Sequence, residues 1–312
     1  MPTGDLVPLL LGLFAILGAG LLLRATGRMG QPEANVLHRV VLEVTMPALV
    51  VSALQRSGLG VGSERALVAS AAALFVSALA GVAVARALGL PRATQGAAGL
   101  CAAFCNTGFL GVPIALAIYG DRAGAVGTAI LIDTFATTLL LWTFGVGLAR
   151  RLGSGERVDP RALLGLLTQP ATIAVAVGLA LRALPIALPR WASQALETLG
   201  SATPALVFLS LGLSLDARGL RGRAAPLAAV AVIKLVVSPA VALGVVLLLG
   251  LRGPAAEVAV LQAAMPSAMV SVIIAARYGC DAPFAAAAAL VTTLGTLGTL
   301  PLVLELLRRL GV

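Results

Sequence analysis

Between Leu6 and Leu307 the sequence is a nearly unbroken succession of apolar runs about 20 residues long, divided by short punctuation of Arg, Gly and Pro. That is the length a helix needs to cross the hydrocarbon core of a bilayer. Only 11% of the side chains are charged, against roughly a quarter in soluble domains, and mean hydropathy is +1.03. So few charges cannot clothe a soluble globule of 312 residues. The chain therefore reads as an all-α polytopic membrane protein with no room for a soluble domain.

The punctuation sets ten spans, near 6–23, 36–55, 66–87, 94–119, 123–149, 162–181, 191–214, 225–249, 255–276 and 283–307. The N-terminus carries Asp5 in place of a basic leader region, so the first run reads as a retained helix. With both termini non-cytoplasmic, thirteen arginines fall on the inner side and eight on the outer, the bias expected of short loops. The longest and most basic connector, Arg150 to Arg161, lies inside and divides the chain at 150/151.

The formal charge of +9 does not point to nucleic acid, because basic residues stand singly or in pairs between apolar runs rather than in a patch. Arginine supplies all but one of them; the exception is Lys234. Cys101, Cys105 and Cys280 read as small packing residues. His38 is the sole histidine, which excludes a His-rich metal or haem site.

The two halves look related. Pro47-Ala48-Leu49-Val50 in the second span reappears as Pro204-Ala205-Leu206-Val207 in the seventh. The fourth and ninth spans each hold a proline in a polar break, Asn106-Thr107-Gly108-Phe109-Leu110-Gly111-Val112-Pro113 and Gln262-Ala263-Ala264-Met265-Pro266-Ser267, at nearly the same sequence separation. Five spans per half is odd, so the second copy enters the membrane from the opposite side. Residues 1–150 and 151–312 are then two inverted five-helix repeats, an architecture of secondary transporters.

A proline at membrane depth removes a donor and frees carbonyls that lipid cannot satisfy, so such breaks survive beside protein or a watery cavity. Asn106, Thr107 and Gln262 can donate to and accept from a ligand, while Gly108 and Gly111 let the backbone open. Half-helices beginning at Pro113 and at Pro266 or Ser267 would turn amide groups and a positive dipole end towards an anion such as a carboxylate. Glu43, Asp133 and Lys234 are the ionisable residues at mid-span, where each is expensive. If Lys234 pairs with one acid, the other is left to titrate and serve proton coupling. Thr292 and Thr293 back up the second break. Gly145, Gly147, Gly295 and Gly298 read as close helix contacts.

At these breaks the chain resembles the auxin efflux carrier family, within the larger group that includes bile acid symporters. The resemblance rests on Ala103 to Pro113, on Ala264 to Ala268, on Ala275 to Asp281, on the Thr292-Thr293 to Pro301 run, and on Pro47 and Lys234 with Pro239. It implies a ten-helix carrier of organic anions such as auxin, malate or malonate, in which helices 4 and 9 are broken and cross. It further implies a scaffold of helices 1, 2, 6 and 7 that dimerises, and a moving transport unit of helices 3 to 5 and 8 to 10. The family's polar ligand at the crossing carries over to Asn106. Where many relatives place an Asn after the second crossing proline, this chain has Met269, Val270 and Ser271.

The expected function is thus a secondary carrier of small organic carboxylates in the inner membrane of a bacterial cell, working as an elevator by alternating access. Asn106, Thr107, Gly108, Pro113, Gln262, Pro266 and Ser267 would bind substrate, and Glu43, Asp133 and Lys234 would tune charge. No cofactor is expected, the coupling ion being a proton. One alternative is sodium coupling of the bile acid type, with the ion at Asn106, Thr107 and Gln262; another is a non-transporting sensor or channel. Paired intramembrane aspartates, Gly-x-Ser-x-Gly and His-Glu-x-x-His are all missing, which argues against an enzyme, and the absence of a nucleotide-binding loop argues against a primary pump.

Overall fold

The computed structural model describes residues 3–56, 60–120, 124–153, 170–184, 188–214, 220 and 222–311. Among them the chain is helical throughout, with no strand. In order the helices are α1 (Thr3–Ala25), α2 (Gln31–Val40), α3 (Met46–Arg56), α4 (Ser63–Ala87), α5 (Arg92–Ala103), α6 (Val112–Tyr119), α7 (Ala125–Leu131) and α8 (Val146–Leu152). Then come α9 (Pro170–Ala183), α10 (Arg190–Ser201), α11 (Thr203–Ser214), α12 (Ala224–Val232), α13 (Ser238–Leu248), α14 (Pro254–Ala263), α15 (Met269–Arg277) and α16 (Ala282–Leu310). Six continuous stretches of the described residues are long and apolar enough to cross a membrane: Gln31–Gln55, Ser63–Ala87, Ala125–Leu152, Arg190–Ser214, Ala224–Leu248 and Ala282–Leu310. The protein is thus a multi-pass helical membrane protein. Most of the connector proposed to divide the halves, 154–169, lies outside the described residues.

Three prolines are accommodated in one way. Pro47, Pro113 and Pro239 each stand at the second position of an α segment, preceded by a five-residue π turn: Val41–Thr45, Thr107–Gly111 and Ile233–Val237. A proline ring collides with the carbonyl one turn back and cannot bond it. Widening that turn by one residue removes the collision and keeps the neighbouring amides paired. The Met46 amide accordingly donates to the Val41 carbonyl, and the Ser238 amide to the Ile233 carbonyl.

The helices form two compact units, Met1–Val61 with Gly108–Ile130 and Leu164–Leu215, and Gly62–Thr107 with Leu131–Leu163 and Asp216–Val312. In the first, α1 lies against α11 at backbone distance. A Cβ on Gly20 would fall on the Leu209 carbonyl, and one on Gly212 on the Leu17 carbonyl. Small residues let helices gain close van der Waals contact where lipid gives no hydrophobic drive. Phe14 meets Phe208 edge to face at 6.0 Å, and Arg24 Nη1 donates to the Leu213 carbonyl at 2.6 Å, a cation at a helix C-terminus. Gly178 and Gly200 seat α9 and α10 against Leu54 and Leu49 of α3.

In the second unit α5 is almost wholly buried, and its small side chains admit α4: a Cβ on Gly81 would stand 2.7 Å from Ala102 Cβ. Gly145 and Gly295 also serve close contact, against Phe104 and Leu235. Gly147 and Gly298 face open space instead, so their expected packing role is corrected. Beyond the spans, Asp281 caps α16 by accepting from the Phe284 amide at 3.0 Å, and it also accepts from Thr94 Oγ1 at 2.9 Å and Arg223 Nη1 at 3.0 Å. Burial pushes this carboxyl up, but these three bonds outweigh it and hold the pKa below 3.8.

Candidate functional site

The two polar breaks meet. After α5 the chain is extended at Phe104, and before α15 it is extended at Ala268. These segments pair antiparallel at Cys105 and Ser267: the Asn106 amide donates to the Pro266 carbonyl at 2.7 Å, and the Ala268 amide to the Phe104 carbonyl at 2.8 Å. Two interrupted helices therefore satisfy each other's backbone at the point where neither can satisfy its own. The helical path resumes at Thr107 and at Met269. Both half-helices differ from the expected starts at Pro113 and at Pro266 or Ser267. Pro113 sits one turn inside its helix, and Pro266 and Ser267 are held extended by the bridge.

Side chains lock the crossing from three directions. Ser267 Oγ donates to the Cys101 carbonyl at 2.6 Å, and the Ser267 amide donates to Thr292 Oγ1 at 3.1 Å. Thr292 in turn donates to the Ala288 carbonyl at 2.8 Å, so the buried Thr292 of α16 braces the second break. Ser238 Oγ donates to the Ala263 carbonyl at 3.0 Å, closing the C-terminal end of α14.

Lys234 is completely buried. Its ammonium is 3.4 Å from the Ala103 carbonyl, 3.5 Å from that of Ala102, 3.4 Å from Ser238 Oγ and 2.7 Å from Cys105 Sγ. It therefore caps the carbonyl end of α5, where the helix dipole favours a cation. None of these partners is a carboxylate. The half-buried Asp133, on the π turn Ile132–Thr138, accepts instead from Thr107 Oγ1 at 2.6 Å. Glu43, on the π turn Val41–Thr45, is exposed at 61%, with Arg39 4.0 Å away one turn earlier.

Asn106 is only 4% exposed, and among the described residues its side-chain amide has no hydrogen-bond partner. Thr107, Ser267 and Gln262 are likewise buried, and Gly108 and Pro113 belong to the other compact unit. Ser271, two residues into α15, is fully buried with a hydroxyl that finds no described partner. No group of three or more acidic, His or Cys side chains is placed to hold a metal among the described residues. Two residues not expected at the site are Cys105, which Lys234 reaches from a helix far away along the chain, and Ser238, which lies one turn after Lys234 and reaches across to the Ala263 carbonyl. Cys105 does more than pack, and its adjacency to Asn106 was the one signal available.

The membrane transport protein family matches residues 6–304. An uncharacterized transporter of Methanothermobacter thermautotrophicus is 32% identical over 289 residues, covering 91% of this chain and 92% of that protein. An uncharacterized transporter of Methanocaldococcus jannaschii is 28% identical over 280 residues, covering 86% and 87%. These are transporters and not enzymes, and with nearly the whole chain matched, the protein belongs to the membrane transport protein family of auxin efflux carrier-like transporters.

Proposed function

We propose that the protein is a secondary carrier of small organic carboxylates, auxin-like or dicarboxylate, that works by alternating access. The supporting observation is the side-chain amide of Asn106, without a partner among the described residues, at the bridged crossing of two interrupted helices. A half-helix that begins there turns its first N–H groups towards whatever fills the crossing. Asn106, Thr107 and Gln262 orient the substrate, Gly108 and Pro113 shape the first half-helix, and Pro266 and Ser267 set the second.

In this reading ten spans form two inverted five-helix repeats, 1–150 and 151–312, with both termini outside the cytoplasmic face of the inner membrane. Spans 1, 2, 6 and 7 make a dimerising scaffold, while spans 3 to 5 and 8 to 10 slide as an elevator. The grouping of Met1–Val61 with Leu164–Leu215, and of Gly62–Thr107 with Leu131–Leu163 and Asp216–Val312, supports that division, whereas Gly108–Ile130, from the second half of span 4 into span 5, groups with the scaffold spans instead. Proton coupling falls to Asp133, whose hydrogen bond to Thr107 ties its charge state to the residue beside Asn106. Glu43 and Lys234 tune charge. Lys234 Nζ already donates to the freed carbonyls of Ala102 and Ala103, the oxygens a sodium ion would need, which supports proton over sodium coupling.

Counterflow in proteoliposomes tests this: vesicles preloaded with malate, malonate, lactate or indole-3-acetate are offered labelled substrate under separate proton and sodium gradients. Saturable exchange accelerated by an inward proton gradient is expected. Acceleration by sodium alone would replace proton coupling with the bile acid type, and absence of exchange for every acid would remove the carboxylate reading.

A further inference from the structure

A second polar feature lies away from the crossing, where three helix ends of the Gly62–Thr107 unit come together. α4 ends at Ala87, α5 begins at Arg92 and α8 ends at Leu152, and between them is a cavity of about 500 Å³ lined by Val82, Arg86, Arg92, Gln95, Arg151 and their neighbours. Arginines at the ends of apolar helices sit at the level of the lipid headgroups. Two of them are linked: Arg92 Nη2 donates to the Arg151 carbonyl at 2.8 Å, which fixes the Arg92 fork. Gln95 Nε2 is likewise tied down, to the Leu90 carbonyl at 2.8 Å.

No described carboxylate pairs with Arg86, Arg92 or Arg151. Elsewhere in the same unit the arginine facing a polar cluster is neutralised, Arg223 by Asp281. Three guanidinium groups around one cavity, uncompensated among the described residues, repel one another and call for an anion. Guanidinium forks match the oxygens of phosphate, to which they bond two at a time. The remaining walls, Val82 and Leu148 with Leu152, are half-exposed apolar sides of α4 and α8 that continue into the acyl region. A free phosphate would leave those walls unused; a phosphate with acyl chains would cover them.

We propose that the Arg86, Arg92 and Arg151 cavity binds the phosphate-bearing headgroup of an anionic phospholipid, its acyl chains lying along Val82 and Leu148. Bound there, the lipid bridges α4, α5 and α8 and holds the N-terminal end of α5, the half-helix that leads to Asn106.

The test uses the full-length protein in detergent, with phosphatidylglycerol, phosphatidylcholine and inorganic phosphate as probes and lipid retention read by native mass spectrometry. Each arginine near an anionic surface supplies about a fivefold gain, so the triple variant R86Q/R92Q/R151Q is expected to bind phosphatidylglycerol roughly a hundredfold more weakly than the wild type. The R86K/R92K/R151K variant keeps the charge but not the forks and is expected to fall between the two. Equal retention of phosphatidylglycerol by wild type and the Gln variant overturns the site. So does equal retention of phosphatidylcholine, or full wild-type binding by the Lys variant, which would indicate a general basic face. Displacement of the lipid by millimolar inorganic phosphate overturns the lipid assignment in favour of a soluble phosphate compound. An unchanged melting temperature of the single R86Q variant, with a several-fold loss of retention, separates headgroup binding from a folding defect.

Discussion

The Asn106 amide donates to the Pro266 carbonyl at 2.7 Å, across a chain separation that spans half the protein, while the Asn106 side chain is left without a described partner. One residue thereby joins the two breaks through its backbone while its side chain stays unengaged among the described residues.

Asn106→Ala should leave that backbone bond in place and remove the side-chain amide proposed to bind substrate. Loss of one or two hydrogen bonds to an anion, about 1.5–3 kcal/mol each, predicts at least a tenfold fall in transport affinity. Counterflow against substrate concentration measures it, and wild-type uptake by a variant of unchanged melting temperature would sink the assignment.

Asp133→Asn keeps the hydrogen bond from Thr107 but cannot titrate. Exchange should persist while its acceleration by an imposed proton gradient disappears. Uptake that still follows the gradient in this variant would move coupling to another group. Thr107→Val, which removes the donor and keeps the shape, should slow transport without abolishing its proton dependence.

Lys234→Ala should destabilise the protein strongly. It strands the carbonyls of Ala102 and Ala103, leaves Ser238 and Cys105 without the ammonium, and opens a cavity in a fully buried place. Orphaned buried polar groups cost about 1–3 kcal/mol each and the cavity adds more. Thermal denaturation in detergent should show a melting point several degrees lower, whereas Cys105→Ala, which removes one soft acceptor, should shift it far less.

Gly20→Val and Gly212→Val should each separate α1 from α11, because the added carbons meet backbone carbonyls that have nowhere to go. Overpacking of this kind costs about 1–3 kcal/mol or more. Gly18→Ala, on the same helix but facing open space, is the control and should melt like the wild type.

The Asp281 cap predicts a pH dependence of stability. Its carboxyl is held below 3.8 in the folded protein, so the bonds from Arg223, Thr94 and the Phe284 amide contribute fully above the ordinary carboxylate range and are lost as the pH falls through the folded value. Melting temperature should be flat near neutrality and drop below about pH 4. Asp281→Asn should melt lower than the wild type near neutrality and show a shallower acid drop; a variant with the wild-type profile would show the cap to be idle.

Membrane residence, helical fold and family were legible in the sequence because they depend on composition and local pattern. Twenty apolar residues must cross lipid as helix, wherever their neighbours are, and the string from Ala103 to Pro113 carries its likeness without any contact being known. Prolines announced where helices would yield, but not how. Pro47, Pro113 and Pro239 are accommodated through π turns, whereas the real gaps fall at Phe104 to Asn106 and at Ala264 to Ala268, and of the bridge between the two gaps only the crossing was implied, by the family resemblance. Charge pairing was equally hidden. Two acids and one lysine suggested an ion pair, yet Lys234 turned to carbonyls and a thiol, Asp133 to a threonine and Glu43 to the exposed face beside Arg39. Hydrophobicity is a property each residue carries along the chain; a buried polar partner is a property of position, and only the packed tertiary structure assigns it.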